Sequence, residues 1–134
     1  MKLLVGVGSV LLTASVAFCQ DKPAPVDWKV PDDLIAKTNP VKATPEGLAH
    51  AKKTWGYDCA VCHGANGDGK GDIASTLKSP LKDLRDPSTL QGMSDGELFY
   101  IIQHGKGEMP PEGDRGKPDD LWNLVAFVRS LSAK

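Results

Sequence analysis

Residues 59–63 read Cys59-Ala60-Val61-Cys62-His63, and this short run constrains the chain more than any other feature of it. The two cysteines stand three positions apart, about one turn of a helix, and the histidine follows at once. Two thiols at that spacing can form thioether bonds to two vinyl carbons of one porphyrin while the adjacent imidazole reaches the iron from the same side. A bare Cys-x-x-Cys has two other readings. A redox-active dithiol needs a thioredoxin-like βαβ setting, and a zinc site needs further Cys or His ligands at suitable spacing. Neither context is visible. The only other cysteine is Cys19, so a four-cysteine cage is excluded, and a mixed cage would need His63 with His50 or His104. The residues favour one haem c, attached through Cys59 and Cys62, with His63 as an axial iron ligand.

The amino terminus fits that reading. Lys2 precedes a mostly apolar run from Leu3 to Val16, and Ser15-Val16-Ala17 offers a small-residue cleavage site, so residues 1–19 read as an export signal. The run is short for a bilayer span. Export would place the mature protein in the periplasm, where haem is attached; a retained signal would instead act as an anchor. Cys19 opens a lipid-anchored alternative as the acylated first residue of a lipoprotein, against which stands the bulk of Phe18 just before it. If cleavage follows Ala17, Cys19 remains as a stray thiol.

About 115 residues follow the signal, enough for one domain. Residues 20–43 hold Pro23, Pro25, Pro31 and Pro40 and few large apolar groups. That composition reads as an extended tether or wrapping arm, with Trp28, Leu34 and Ile35 available to pack on the domain. The compact unit is expected over residues 44–134. With 16 basic and 17 acidic side chains the chain lacks the basic field that nucleic acid requires, so protein partners are the class left.

Helix signals frame the motif. Thr44 can cap, Pro45 fits the first helical position, and Glu46 suits the positive terminus, so a helix should run from there toward Cys59, weakened in its last turn by Gly56. Ala51 and Trp55 share a face of it. After His63 comes a glycine-rich loop, residues 64–72, which lacks the ending of a P-loop and the acidic spacing of an EF-hand; it reads as a tight reversal beside a flat cofactor. A short turn is expected from Asp72 to Leu77. Ser94 and Glu97 form a capping-box pattern before Leu98, Ile101 and Ile102, and Gly105 ends that helix. Finally, Leu121, Leu124, Val125, Val128 and Leu131 recur at helical spacing after Asp119-Asp120. No strand alternation appears. The chain reads as all-α, three main helices joined by loops, with a core too thin to stand alone. A porphyrin would fill it, against Trp55, Leu98, Ile102, Leu124 and Phe127.

His63 would leave the opposite iron position to be filled from Met93, Met109, His50 or His104. Met109 has the best setting, a thioether on a loop stiffened by Pro110 and Pro111. Met93 lies before a helix cap, His104 near a helix carboxyl terminus, and His50 is too near the attachment helix in the chain to reach the opposite haem face readily. With His63 and Met109 both bound, no site remains for oxygen or peroxide, and the chemistry reduces to one-electron cycling, Fe(II) to Fe(III).

The motif, the Gly107-Glu108-Met109-Pro110 loop and the terminal run from Asp120 to Leu131 together resemble class I c-type cytochromes, especially the small bacterial monohaem domains. The resemblance covers roughly residues 44–132. It implies the cytochrome c fold, in which the helix ending near Cys59 crosses the terminal helix with Ala51 and Trp55 near Leu124 and Phe127. It also implies that a backbone carbonyl near Pro80 accepts the second ring proton of His63. The proline-rich arm lies outside the family pattern and leaves room for a membrane tether or a partner contact. The expected function is a monomeric, non-enzymatic electron shuttle between periplasmic redox proteins or membrane respiratory complexes. Lys70, Lys78, Lys82, Lys106 and Lys117 are placed to ring the haem edge and steer an acidic partner. The alternatives are an electron-entry subunit of a larger oxidoreductase and a haem peroxidase or ligand sensor with a labile axial ligand.

Overall fold

Every regular element in the computed structural model, which describes residues 29–132, is helical. The export signal, Cys19 and Trp28 lie outside the described residues. The elements are α1 (Asp32–Ile35), α2 (Pro45–Thr54), α3 (Ala60–His63), α4 (Asp95–His104) and α5 (Pro118–Leu131). A π-helical turn, Trp55–Cys59, joins α2 to α3, and single 3-10 turns occupy Ala74–Thr76 and Pro87–Leu90. Among the described residues the only strand-like pairing is an isolated bridge between Lys106 and Met109.

The capping residues act as the sequence predicts. Thr44 Oγ1 accepts from the Gly47 amide at 3.0 Å. Ser94 and Glu97 close a reciprocal box, 3.1 Å from the Glu97 amide to Ser94 Oγ and 2.7 Å from the Ser94 amide to Glu97 Oε2. α5 starts one residue before the acidic pair, at Pro118, and the Lys117 amide donates to Asp120 Oδ2 at 3.1 Å. The expected single helix up to Cys59 is instead α-helical only to Thr54. The Ala60 amide then reaches back to the Trp55 carbonyl, the i→i−5 bond of a π turn, with exposed Gly56 inside it.

α2 packs across α5, burying Ala51 and Trp55 with Leu121, Leu124, Val125, Val128 and Leu131. Phe127 lies against Trp55 with ring centroids 5.6 Å apart. α4 covers the next side of α5, where Phe99 stacks on Trp122 at 4.1 Å and Leu98 and Ile102 are buried.

The described part of the proline-rich arm is a strap. α1 packs on α4, and the Gly96 amide donates to the Lys37 carbonyl at 3.0 Å. Asn39 fixes the strap at three points. Its side-chain amide donates to the Trp122 carbonyl at 2.8 Å, its Oδ1 accepts from the Val41 amide at 2.9 Å, and its own backbone amide donates to Asp95 Oδ2 at 3.2 Å. Asp95 Oδ1 in turn accepts from Arg129 Nε at 3.0 Å, and the same guanidinium donates to the carbonyls of Leu90 and Met93. Leu34, Lys37 and Asn39 thus lie against α4 and α5.

Gly96 sets how closely the strap approaches, because a Cβ there would stand 1.9 Å from the Leu34 carbonyl oxygen. Gly96 stands in the first turn of α4, where alanine without a clash would gain less than the ~1 kcal/mol of a mid-helix site. Here the clash is with backbone, and Gly96→Ala is expected to lose about 1–3 kcal/mol net by overpacking. Hydrogen exchange checks it: the Gly96 and Val41 amides should lose protection in the variant while those of α5 keep theirs.

Candidate haem-attachment site

Cys59 closes the π turn, and Cys62 and His63 follow on α3, a single helical turn. What fixes that turn is the loop after it. The amides of Gly69, Gly71 and Ile73 donate to the carbonyls of His63, Cys62 and Val61 at 2.8, 3.0 and 3.1 Å. These are the carbonyls a helix leaves unpaired at its carboxyl end, so the glycine-rich loop is a cap for the motif as well as a reversal. Gly71 must be glycine for this. A Cβ would lie 2.3 Å from the Val61 carbonyl oxygen.

Trp55 links the motif to the core. Its indole Nε1 donates to the Gly64 carbonyl at 3.1 Å in a buried setting, and its ring lies 5.6 Å from the His63 ring. Burial lowers the His63 pKa, so the imidazole is neutral near neutral pH, with its lone pair available to a metal. His63 Nδ1 is buried without a hydrogen-bond partner. The bond expected from the carbonyl near Pro80 is not formed, and Pro80 is exposed. The segment before Pro80 is engaged elsewhere: the Lys78 amide donates to Glu108 Oε2 at 2.8 Å.

Both motif cysteines are free thiols and half-buried. Cys59 is pushed up to about 12, by burial first and then by the carboxylates of Glu112 and Asp58. Among the described residues no three His, Cys, Asp or Glu side chains converge as a metal cage. Two reduced thiols and an imidazole whose buried Nδ1 lacks a partner, all within residues 59–63, fit covalent haem attachment.

Of the candidates for the opposite axial position, Met109 is half-buried and packed against the core. Lys106 and Met109 exchange two backbone hydrogen bonds of 3.0 Å, making a tight loop at the end of α4. The chain beyond Pro111 is pinned to α4 by the amides of Glu112 and Gly113, which donate to the carbonyls of Ile102 and Gln103 at 3.0 Å. Met93 also touches the core, while its carbonyl serves Arg129. His104 packs on Tyr100 at 4.4 Å, and His50 is exposed, 4.0 Å from Asp120. Around the motif, Tyr57, Val61 and Ile73 are exposed, and so are Lys70, Lys78, Lys82, Lys106 and Lys117.

Sequence reasoning missed three groups beside the motif. Glu112 is only 4% exposed; Arg115 donates to it at 3.3 Å and to Asp58 at 3.0 Å. Burial raises the Glu112 pKa, against the opposing pull of Arg115. No periodicity marks these residues, since the contact joins positions 57 apart in the chain.

Comparison with known proteins places the chain among haem proteins. Residues 46–128 match the family described as cytochrome c oxidase, cbb3-type, subunit III. The cbb3-type cytochrome c oxidase subunit FixP of Azorhizobium caulinodans is 27% identical over 129 residues, which are 96% of this chain and 38% of that protein. The chain thus spans under two fifths of that relative's length. Cytochrome c6 of Parathermosynechococcus lividus is 28% identical over 87 residues, 65% of this chain and 93% of the relative. The crystal structure of cytochrome c6 from the diatom Phaeodactylum tricornutum superposes with a TM-score of 0.52 at 22% identity, covering 64% of this chain and 94% of that one; it has the same fold.

The indole bond to Gly64 carries a testable cost. Trp55→Phe keeps an aromatic ring at the helix crossing but removes the indole bond, leaving the Gly64 carbonyl with the Gly67 amide alone, and a loss of about 0.5–1.5 kcal/mol in urea denaturation is expected for that bond.

Proposed function

Since the chain belongs to the family of cytochrome c oxidase, cbb3-type, subunit III, and is a small c-type cytochrome that carries electrons on haem, we propose that Cys59 and Cys62 hold that haem and that His63 and Met109 are its axial ligands. When bound, haem c supplies reversible one-electron chemistry between Fe(II) and Fe(III). The protein's part is to hold and shield it. The neutral imidazole of His63, seated against Trp55 and capped through its carbonyl by Gly69, is the ligand on the attachment side. Met109 answers from a loop anchored on α4 at both ends. The observation that carries this assignment is that anchorage, which holds the Met109 segment in a tight turn packed on the core. A loop so fixed argues against the labile ligand that a peroxidase or sensor requires. The role of Pro80 rests on resemblance alone.

The partners belong to the class of redox proteins and membrane respiratory complexes, and the setting is the periplasm. The exposed lysines would meet an acidic partner beside an apolar rim of Val61 and Ile73. The match to FixP spans 96% of this chain, the strap included, which favours a second reading as an electron-entry unit that works on a larger oxidase. Monomeric state and membrane tethering are parts of the proposal that sedimentation and cell fractionation address.

Visible spectroscopy of the haem-loaded protein tests the ligand assignment. The ferric protein should show a weak far-red charge-transfer band that is absent from Met109→Ala and present in Met93→Leu. Persistence of the band in Met109→Ala would remove Met109 from the iron. Haem should survive acidified-solvent extraction in the native protein and be released from the Cys59→Ser/Cys62→Ser double variant.

A further inference from the structure

Glu112 is a buried carboxylate that the electron-transfer scheme does not use, and the arrangement around it points to a role. It stands three residues after Met109, with its backbone amide bound to the Ile102 carbonyl. Its side chain is 5% exposed and pairs with Arg115 at 3.3 Å. The same Arg115 nitrogen reaches Asp58 Oδ1 at 3.0 Å, and Asp58 lies in the π turn, one residue before Cys59. One guanidinium thus spans the two segments that carry opposite sides of the haem site. We propose that Arg115 is a positioning residue that holds the Met109 loop against the turn carrying Cys59, and so keeps the methionine on the iron.

This role rests on the assignment of Met109 as axial ligand and on the unequal burial of the three groups. Arg115 and Asp58 are partly exposed, at 57% and 29% of their side chains, so that link alone is worth little. Glu112 differs, because a carboxylate withdrawn from water and stripped of its cation is an uncompensated buried charge. Turning outward into water relieves that charge and pulls on the segment that carries it. Only Pro110 and Pro111 separate it from Met109, and two consecutive prolines transmit such a displacement instead of absorbing it. The loss of Arg115 should therefore loosen the methionine through Glu112, even though Arg115 itself is at the surface.

This mechanism makes a prediction that general loss of stability does not. In the ferric, haem-loaded protein, imidazole displaces the axial methionine and the far-red band disappears; stopped-flow mixing measures the limiting rate of opening. Arg115→Gln is expected to raise that rate by about tenfold, the equivalent of ~1.4 kcal/mol. Glu112→Gln, which removes the charge and keeps the shape, should change it less than about threefold, and Arg115→Gln/Glu112→Gln should fall back toward the native rate. Arg115→Lys, which keeps the charge on a more strongly hydrated ammonium, should be intermediate. A native rate in Arg115→Gln overturns the proposal, as does a double variant no slower than Arg115→Gln alone. Met109→Ala is the separate control on the ligand: a far-red band surviving there refutes Met109 as ligand whatever Arg115 does.

Discussion

The buried indole of Trp55 is the contact on which the remaining structure depends. It fills the crossing of α2 and α5 beside Phe127, lies against the ring of His63, and ties the Gly64 carbonyl through Nε1. Helix packing and the placement of an iron ligand are thereby one problem with one solution. A side chain of this size gives the crossing its apolar area, and its single polar atom fixes the chain just past the motif. The crossing in turn sets α5, on which α4 and then the strap are laid.

Much of this was legible in the chain. Periodicity and capping residues located α4, α5 and the start of α2 to within a residue or so, because Thr44, Ser94 and Gly105 act within one turn of themselves. The crossing of Ala51 and Trp55 with α5 followed from family resemblance, and the helices pack as it implies. What escaped was set by tertiary contact. The π turn was read as a helix weakened by Gly56, since nothing local distinguishes an i→i−5 bond from an i→i−4 one. The proline-rich arm left tether and wrap undecided because Asn39 finds its partners on Asp95 and Trp122, far along the chain. At the site, the motif announced Cys59, Cys62 and His63. The groups that brace the other side, Glu112, Arg115 and Asp58, belong to no pattern and become visible only once the chain is folded.

The two sides of the site are held by different physics. On the attachment side the backbone does the work: glycine amides cap α3, and the helix is short because its carbonyls are spent on the loop that follows. On the Met109 side, backbone bonds to α4 are supplemented by polar side chains, Glu108 to the Lys78 amide on one flank and Glu112 through Arg115 on the other. Backbone capping is insensitive to salt, whereas exposed ion pairs weaken as ionic strength rises. The Met109 loop is accordingly the part of the candidate site more open to ionic strength.

The π turn between α2 and α3 also has a geometric meaning. A residue more per turn delays everything after it by about 100° around the helix axis. Trp55 faces the core while the cysteines and His63 are aimed by that phase shift, not by the direction of α2. The spacer Gly56-Tyr57-Asp58 is therefore a clock setting for the motif: shortened by one residue, the chain would still spell Cys-x-x-Cys-His, with its three reactive side chains turned to another quarter of the helix. Family membership judged on those five letters would not notice the loss. The distance from Trp55 to Cys59 is as much a part of the site as the letters themselves.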